Sequence, residues 1–225
     1  MPIIDQGHAS ALETVADEGC LSSDYSLDVV FRGDGEAKTA SGLVGLLADI
    51  EALGGLQEDS YSRGGAVETL EYKAAQMLGK EKSVFMPTGT LANHVALRRL
   101  CGSRPRALVQ EQGHLYNDTG DCVTRLSGIN LVPMAKNRPY FTLYELEQEV
   151  GRSDTGRVAN PVGAVIIESP VRRQFGQVMP FDEMAAVTSY CADRDIPTHL
   201  DGARLYMMAA ASGIHAQRYT ELFDA

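Results

Sequence analysis

Residues 199–205 of this 225-residue chain read His-Leu-Asp-Gly-Ala-Arg-Leu. Asp201 stands where a short strand, residues 197–200, is expected to emerge from a sheet. A carboxylate in such a place needs a cationic or hydrogen-bonded partner, because an unpaired buried charge is costly. Two partners fit the sequence. One is Arg204, three residues on, which would make a structural ion pair. The other is the protonated nitrogen of a heterocycle, the arrangement an electron-sink cofactor requires. Gly202 and Ala203 leave room beside the acid.

A second stretch, Pro87-Thr88-Gly89-Thr90-Leu91-Ala92-Asn93, has the form of a turn opening a helix. First-turn N–H groups have no intrahelical acceptor and attract anions, and a glycine lets a phosphate approach the backbone. The same residues also suit an ordinary N-cap, with Thr88 or Thr90 satisfying the helix start. His114 follows a strand within Gln112-Gly113-His114-Leu115-Tyr116. Its imidazole could stack on an aromatic ring, carry a proton near neutral pH, or simply bond to a backbone carbonyl. Glu168, at the end of the most apolar run, reads as a structural acid that sets a turn with Pro170. Arg172 and Arg173 are open between attracting a substrate carboxylate and being solvated. Histidines at helical i,i+4 spacing and Cys-x-x-Cys pairs are both absent from the sequence, so no metal site is expected.

These residues need strands and helices to bring them together. Leu43, Leu46, Leu47, Ile50 and Leu53 fall at helical spacing and end at Gly54-Gly55. Helices are also expected over 67–78, 91–100, 142–150, 181–194 and 205–211. Thr142 and Glu145 have capping-box spacing. Strands are expected at 83–86, 107–109, 130–133, 162–167 and 197–200. Val162 to Ile167 is almost continuously apolar, as in a strand buried on both faces of a parallel sheet. Strands alternating with helices predict an α/β fold with a mainly parallel sheet covered on both sides. Ligands in such folds bind beyond the carboxyl ends of the strands, where Thr88–Thr90 and Asp201 would both lie. Residues 28–39 read as loop.

Composition narrows the function classes. Thirty acidic residues against twenty basic give a net charge of −10, with a pI near 4.9. That balance opposes binding to nucleic acid or to anionic lipid. No apolar run reaches the roughly 20 residues of a membrane span, and the N-terminus does not read as a secretory signal. Four scattered cysteines fit the reduced thiols of a cytoplasmic protein. A Walker loop and a Gly-x-Gly-x-x-Gly dinucleotide fingerprint are both missing.

Five segments together carry a family resemblance: Tyr61–Gly65, Phe85–Thr90, Gly113–Tyr116, Ile167–Pro170 and Leu200–Leu205. In this order and spacing the chain resembles the threonine aldolase and aromatic amino acid β-eliminating lyase family. The resemblance implies pyridoxal 5'-phosphate as cofactor and the three-layer fold of the aspartate aminotransferase type. Gly89 and Thr90 would hold the phosphate, and His114 would stack on the pyridine ring. Asp201 would bind the ring nitrogen, and Arg204 would lie near the phenolic oxygen. The implied activity is aldol-type cleavage of a β-hydroxy amino acid to glycine and an aldehyde, or β-elimination. Implied partners are a small-molecule amino acid and further copies of the chain, as a dimer or tetramer, with Tyr61–Gly65 reaching a neighbour's site. The chain departs from the family in two ways. Its lysines are at 38, 73, 80, 82 and 136, so the Schiff-base lysine expected after the Asp201 strand is missing. Arg172 and Arg173 stand where aldolases of the family tend to carry histidine, which leaves substrates other than threonine open. The expectation is an N-terminal segment over 1–58, a partial cofactor-binding large domain over 59–225, and no C-terminal small domain. A catalytically incomplete fragment or a non-catalytic cofactor-binding protein is the alternative.

Overall fold

The computed structural model describes residues 39–225. Along the chain these form α1 (Ala40–Ala52), α2 (Ala66–Leu78), α3 (Gly89–Cys101), β1 (Arg106–Gln110), α4 (His114–Asn117), α5 (Cys122–Ser127) and β2 (Asn130–Met134). Then follow α6 (Leu143–Asp154), β3 (Val162–Glu168), α7 (Phe181–Ala192), β4 (Thr198–Asp201), α8 (Leu205–Ser212) and α9 (Ala216–Thr220). Residues 47–225 form one compact unit. It holds the sheet. The loop expected over 28–39 lies, except for Thr39, outside the described residues.

Four parallel strands lie side by side in the order β2-β1-β3-β4. Every residue of β3 is buried, as its unbroken apolar run predicts for a central parallel strand. Side chains alternate between two cores. Ala107, Val109, Ala164 and Ile166 pack with Leu97 and Cys101 of α3 and Val123 of α5. Leu108, Val165, Ile167 and Leu200 pack on the other face with residues of α6 to α9, among them Leu146, Met184, Met208 and Tyr219. The chain leaves β1 towards β2 on one side and later returns to place β3 on β1's other side. The carboxyl ends of β1 and β3 therefore flank a topological switch point, where open α/β sheets leave a crevice.

Local chemistry explains several boundaries. Thr142 caps α6, accepting from the Glu145 amide, while the Glu145 carboxylate accepts from the Thr142 amide. Gly79 ends α2 in the left-handed conformation, at φ 63°, which glycine adopts without steric cost. The expected strand at 83–86 does not form. Val84 and Phe85 are exposed. The Phe85 amide donates to the Glu71 carboxylate and the Ser83 hydroxyl to the Glu71 carbonyl. A strand needs a neighbour for its ladder, and no sheet strand among the described residues pairs with this segment. An apolar run cannot report whether that neighbour exists.

Gly163 marks a close approach of β3 to the end of α3. A Cβ there would stand 2.9 Å from both the Arg104 carbonyl oxygen and the Cys101 Cα. Gly163→Ala must push backbone apart and is expected to destabilise the fold by about 1–3 kcal/mol. Urea unfolding checks this, and an unchanged midpoint would contradict the close packing.

Candidate active site

Asp201 is the last residue of β4 and is 8% exposed. Its register partner on β3 is Glu168, so two buried acids end neighbouring strands side by side. Asp201 Oδ2 accepts from Asn93 Nδ2 at 2.7 Å, and Oδ1 accepts from the Ala203 amide at 3.3 Å. Asn93 lies one turn inside α3. Its Oδ1 is 2.9 Å from His199 Nε2.

The start of α3 divides its two threonines between two tasks. Thr88 is the N-cap, and its hydroxyl accepts from the Leu91 amide. Thr90 turns its hydroxyl to His114 Nε2 at 3.2 Å. The Gly89 and Thr90 amides have no intrahelical acceptor, as in any first turn, and a Cβ on Gly89 would meet nothing within 4 Å. Space is therefore open over this helix end.

His114 begins α4. Its amide donates to Glu168 Oε2 at 2.5 Å, and its Nδ1 lies 3.4 Å from Asp118 Oδ2. Asp118 in turn accepts from Arg172 Nη2 at 2.7 Å and Arg173 Nη1 at 3.1 Å. Burial works against this carboxylate's charge, but Arg172, His114 and Arg173 together outweigh it and hold its pKa below the usual value. The two arginines are thus engaged in buttressing the His114 ring.

Glu168 does more than set a turn. Besides the His114 amide it accepts the Arg172 amide at 3.0 Å, and Arg204 Nη1 lies 3.7 Å from its Oε1. Burial pushes the Glu168 pKa up and Asp201 adds to that, while the two amides and Arg204 oppose it. Gln110, at the end of β1, is 2% exposed and bonded at both its amide nitrogen and its oxygen. It donates to the Pro139 and Glu168 carbonyls and accepts from the Glu168 amide.

A small cleft of about 10 Å³ runs between Gly113, His114, Glu168 and Asp201. Two larger open grooves lie elsewhere, about 700 Å³ beside β2 and α6 and about 540 Å³ between α2, α8 and α9. Neither is lined by Gly89, Thr90, His114, Asp201 or Arg204. Those five residues are instead joined by contacts: α3 reaches His114 through Thr90 and Asp201 through Asn93, while Glu168 joins His114 to Arg204. Sequence reasoning passed over Asn93, Gln110, Asp118 and His199. Two signals were present: Asn93 is four residues after Gly89, and His199 is two before Asp201, so each shares a face with a residue already singled out.

Residues 49–225 match a family model described as beta-eliminating lyase. The low specificity L-threonine aldolase of Saccharomyces cerevisiae is 29% identical over 158 residues, covering 69% of this chain and 40% of that protein. A Listeria monocytogenes crystal structure, assigned as an L-allo-threonine aldolase, superposes with a TM-score of 0.72 at 29% identity, covering 84% of this chain and 51% of that one. The Leishmania major threonine aldolase structure shares the fold, with a TM-score of 0.69 at 16% identity, covering 85% of this chain and 55% of that one. The chain spans about two fifths of the length of the first curated relatives it matches.

His199 yields a pH prediction. Burial pushes its pKa below the usual 6.5, and the charge of Asp201 and the Ala225 carbonyl only partly offset this. The folded chain then binds fewer protons here than the unfolded chain. The contribution to stability is complete above the unfolded value and is lost as pH falls from there towards the folded value. Melting temperatures taken from about pH 7.5 down to about pH 5 should fall, and His199→Phe should flatten that decline. An equal decline in the variant would contradict a neutral buried imidazole.

Proposed function

Given that this chain belongs to the beta-eliminating lyase family, we propose that it forms the cofactor-holding part of a pyridoxal 5'-phosphate-dependent lyase acting on an amino acid. The reaction is aldol-type cleavage of a β-hydroxy amino acid to glycine and an aldehyde, or β-elimination. The observation that carries this reading is the buried Asp201 carboxylate, set at a strand end and linked through Asn93 to the first turns of α3.

The residues present fit such a group. An ionised carboxylate has about four acceptor sites, and Asp201 receives one N–H on each oxygen from Asn93 and Ala203. It keeps acceptor capacity for a protonated ring nitrogen. The open space over Gly89 and the first-turn amides of Gly89 and Thr90 suit a phosphate. When bound, the cofactor supplies an electron sink for the bond broken at the substrate's α-carbon.

The chain's own residues do the rest. Asp201 holds the proton on the ring nitrogen. His114, with Thr90 at one ring nitrogen and Asp118 at the other, provides a fixed flat surface for the ring. It is also the chain's candidate for carrying the proton of a substrate hydroxyl. Arg204, next to Glu168, supplies positive charge towards the phenolic oxygen. Assembly into a dimer or tetramer belongs to the same reading. Tyr61 supports it, being 98% exposed on a backbone held at φ 54°.

Pyridoxal phosphate added to the chain should be retained through desalting and give a shifted absorption band. Asp201→Ala should weaken that binding about 10- to 100-fold, the worth of one charge-assisted hydrogen bond. Asp201→Asn, which keeps the shape, separates loss of charge from loss of packing. Binding by Asp201→Ala as tight as that of the parent would overturn the proposal.

A further inference from the structure

Asp201 is braced from behind by two side chains that the proposed chemistry leaves unused. His199 and Asp201 are alternate residues of β4, so both face α3 while Leu200 enters the opposite core. Asn93 lies between them. Its Nδ2 donates to Asp201 Oδ2 at 2.7 Å, and its Oδ1 faces His199 Nε2 at 2.9 Å. All three side chains are buried.

The polarity of this row follows from elementary bonding rules. An ionised carboxylate only accepts, so Asn93 must turn its NH2 towards Asp201. The amide oxygen then faces His199, and an oxygen of that kind only accepts, so His199 Nε2 must carry a hydrogen. His199 Nδ1 is buried without a hydrogen bond, and although the Ala225 carbonyl and the Asp201 charge favour a second proton on the ring, burial outweighs them. The imidazole is therefore neutral, in its Nε2–H form. Were that hydrogen absent, the Asn93 amide could turn over and set its oxygen against the Asp201 carboxylate.

We propose that His199 and Asn93 are positioning residues for Asp201: the His199 Nε2–H locks the Asn93 amide in the one orientation that gives the carboxylate a donor, and so fixes the carboxylate for the cofactor nitrogen. This rests on the function proposed above. Neither residue touches the reacting atoms; both act through Asp201.

Two measurements on the 225-residue chain test it. Nitrogen-15 NMR of the histidine rings reads the tautomer directly. The expected result is a neutral His199 ring protonated at Nε2 across about pH 5–8. A ring protonated at Nδ1, or one titrating like a free imidazole, would overturn the proposal. The second measurement is pyridoxal phosphate affinity. His199→Phe, which keeps bulk but removes the donor, should weaken it about 3- to 10-fold, in line with one net hydrogen bond acting at second hand. His199→Gln, which returns an N–H near the Nε2 position, should recover most of the loss. Asn93→Leu should match His199→Phe, and the two changes combined should cost no more than the larger one alone. Equal affinity in parent and His199→Phe, or additive losses in the double variant, would overturn the proposal. If His199→Phe fails to fold, the parent and His199→Gln still decide it through ring tautomer and affinity. If the parent takes up no pyridoxal phosphate while His199 keeps the Nε2–H form, the lyase reading falls, and with it the cofactor half of the proposal.

Discussion

Two carboxylates buried next to each other at the carboxyl edge of a sheet are an electrostatic burden, and the rest of the site is arranged around meeting it. Glu168 and Asp201 are paired in register on β3 and β4. Removing a carboxylate from water costs several kcal/mol unless donors replace the hydration. Glu168 takes the amides of His114 and Arg172 and lies near Arg204. Asp201 takes Asn93 and the Ala203 amide. These donors come from α3, the start of α4, the segment after β3 and the segment after β4. Satisfying the two acids therefore draws those four elements to one place, and the candidate site is where they meet.

Topology puts the acids where this can happen. The strand order sends successive connections to opposite sides of β1, and the crevice between the ends of β1 and β3 is the result. Gln110 and Glu168 close the floor of that crevice through reciprocal bonds. His114, four residues after β1 ends, stands at its rim. The larger grooves elsewhere show that volume alone is a poor guide. The candidate site is marked instead by the convergence of charged and polar groups.

Much of this was legible in the sequence, for identifiable reasons. The β3 run, the Thr142–Glu145 cap and the helices ending at Gly54 and Gly79 are local signals, complete within a few residues. Asp201 stands out because a carboxylate where a buried strand emerges needs a partner. The segment 83–86 was misread because a ladder partner is not a local property. Glu168 looked merely structural because its two amide donors, at 114 and 172, cannot be read from its neighbours. The Arg172–Arg173 pair was left undecided because Asp118, which both arginines meet, is more than 50 residues away in sequence. Asn93 and His199 share this trait: each is an ordinary helix or strand residue until the tertiary fold sets them in one row.

The bare α-carbon of Gly163 has an effect at a distance. Its contact is with Cys101, the last residue of α3, whereas Asn93 and Thr90 work near that helix's other end. A helix is stiff along its axis, with a rise of about 1.5 Å per residue. Seating one end against bare backbone thus sets the axial position of the other. A slip of a single residue would carry Asn93 out of reach of Asp201. The one residue without a side chain among the described strands serves as a locating pin, and the tolerance it imposes is passed along the helix to the carboxylate.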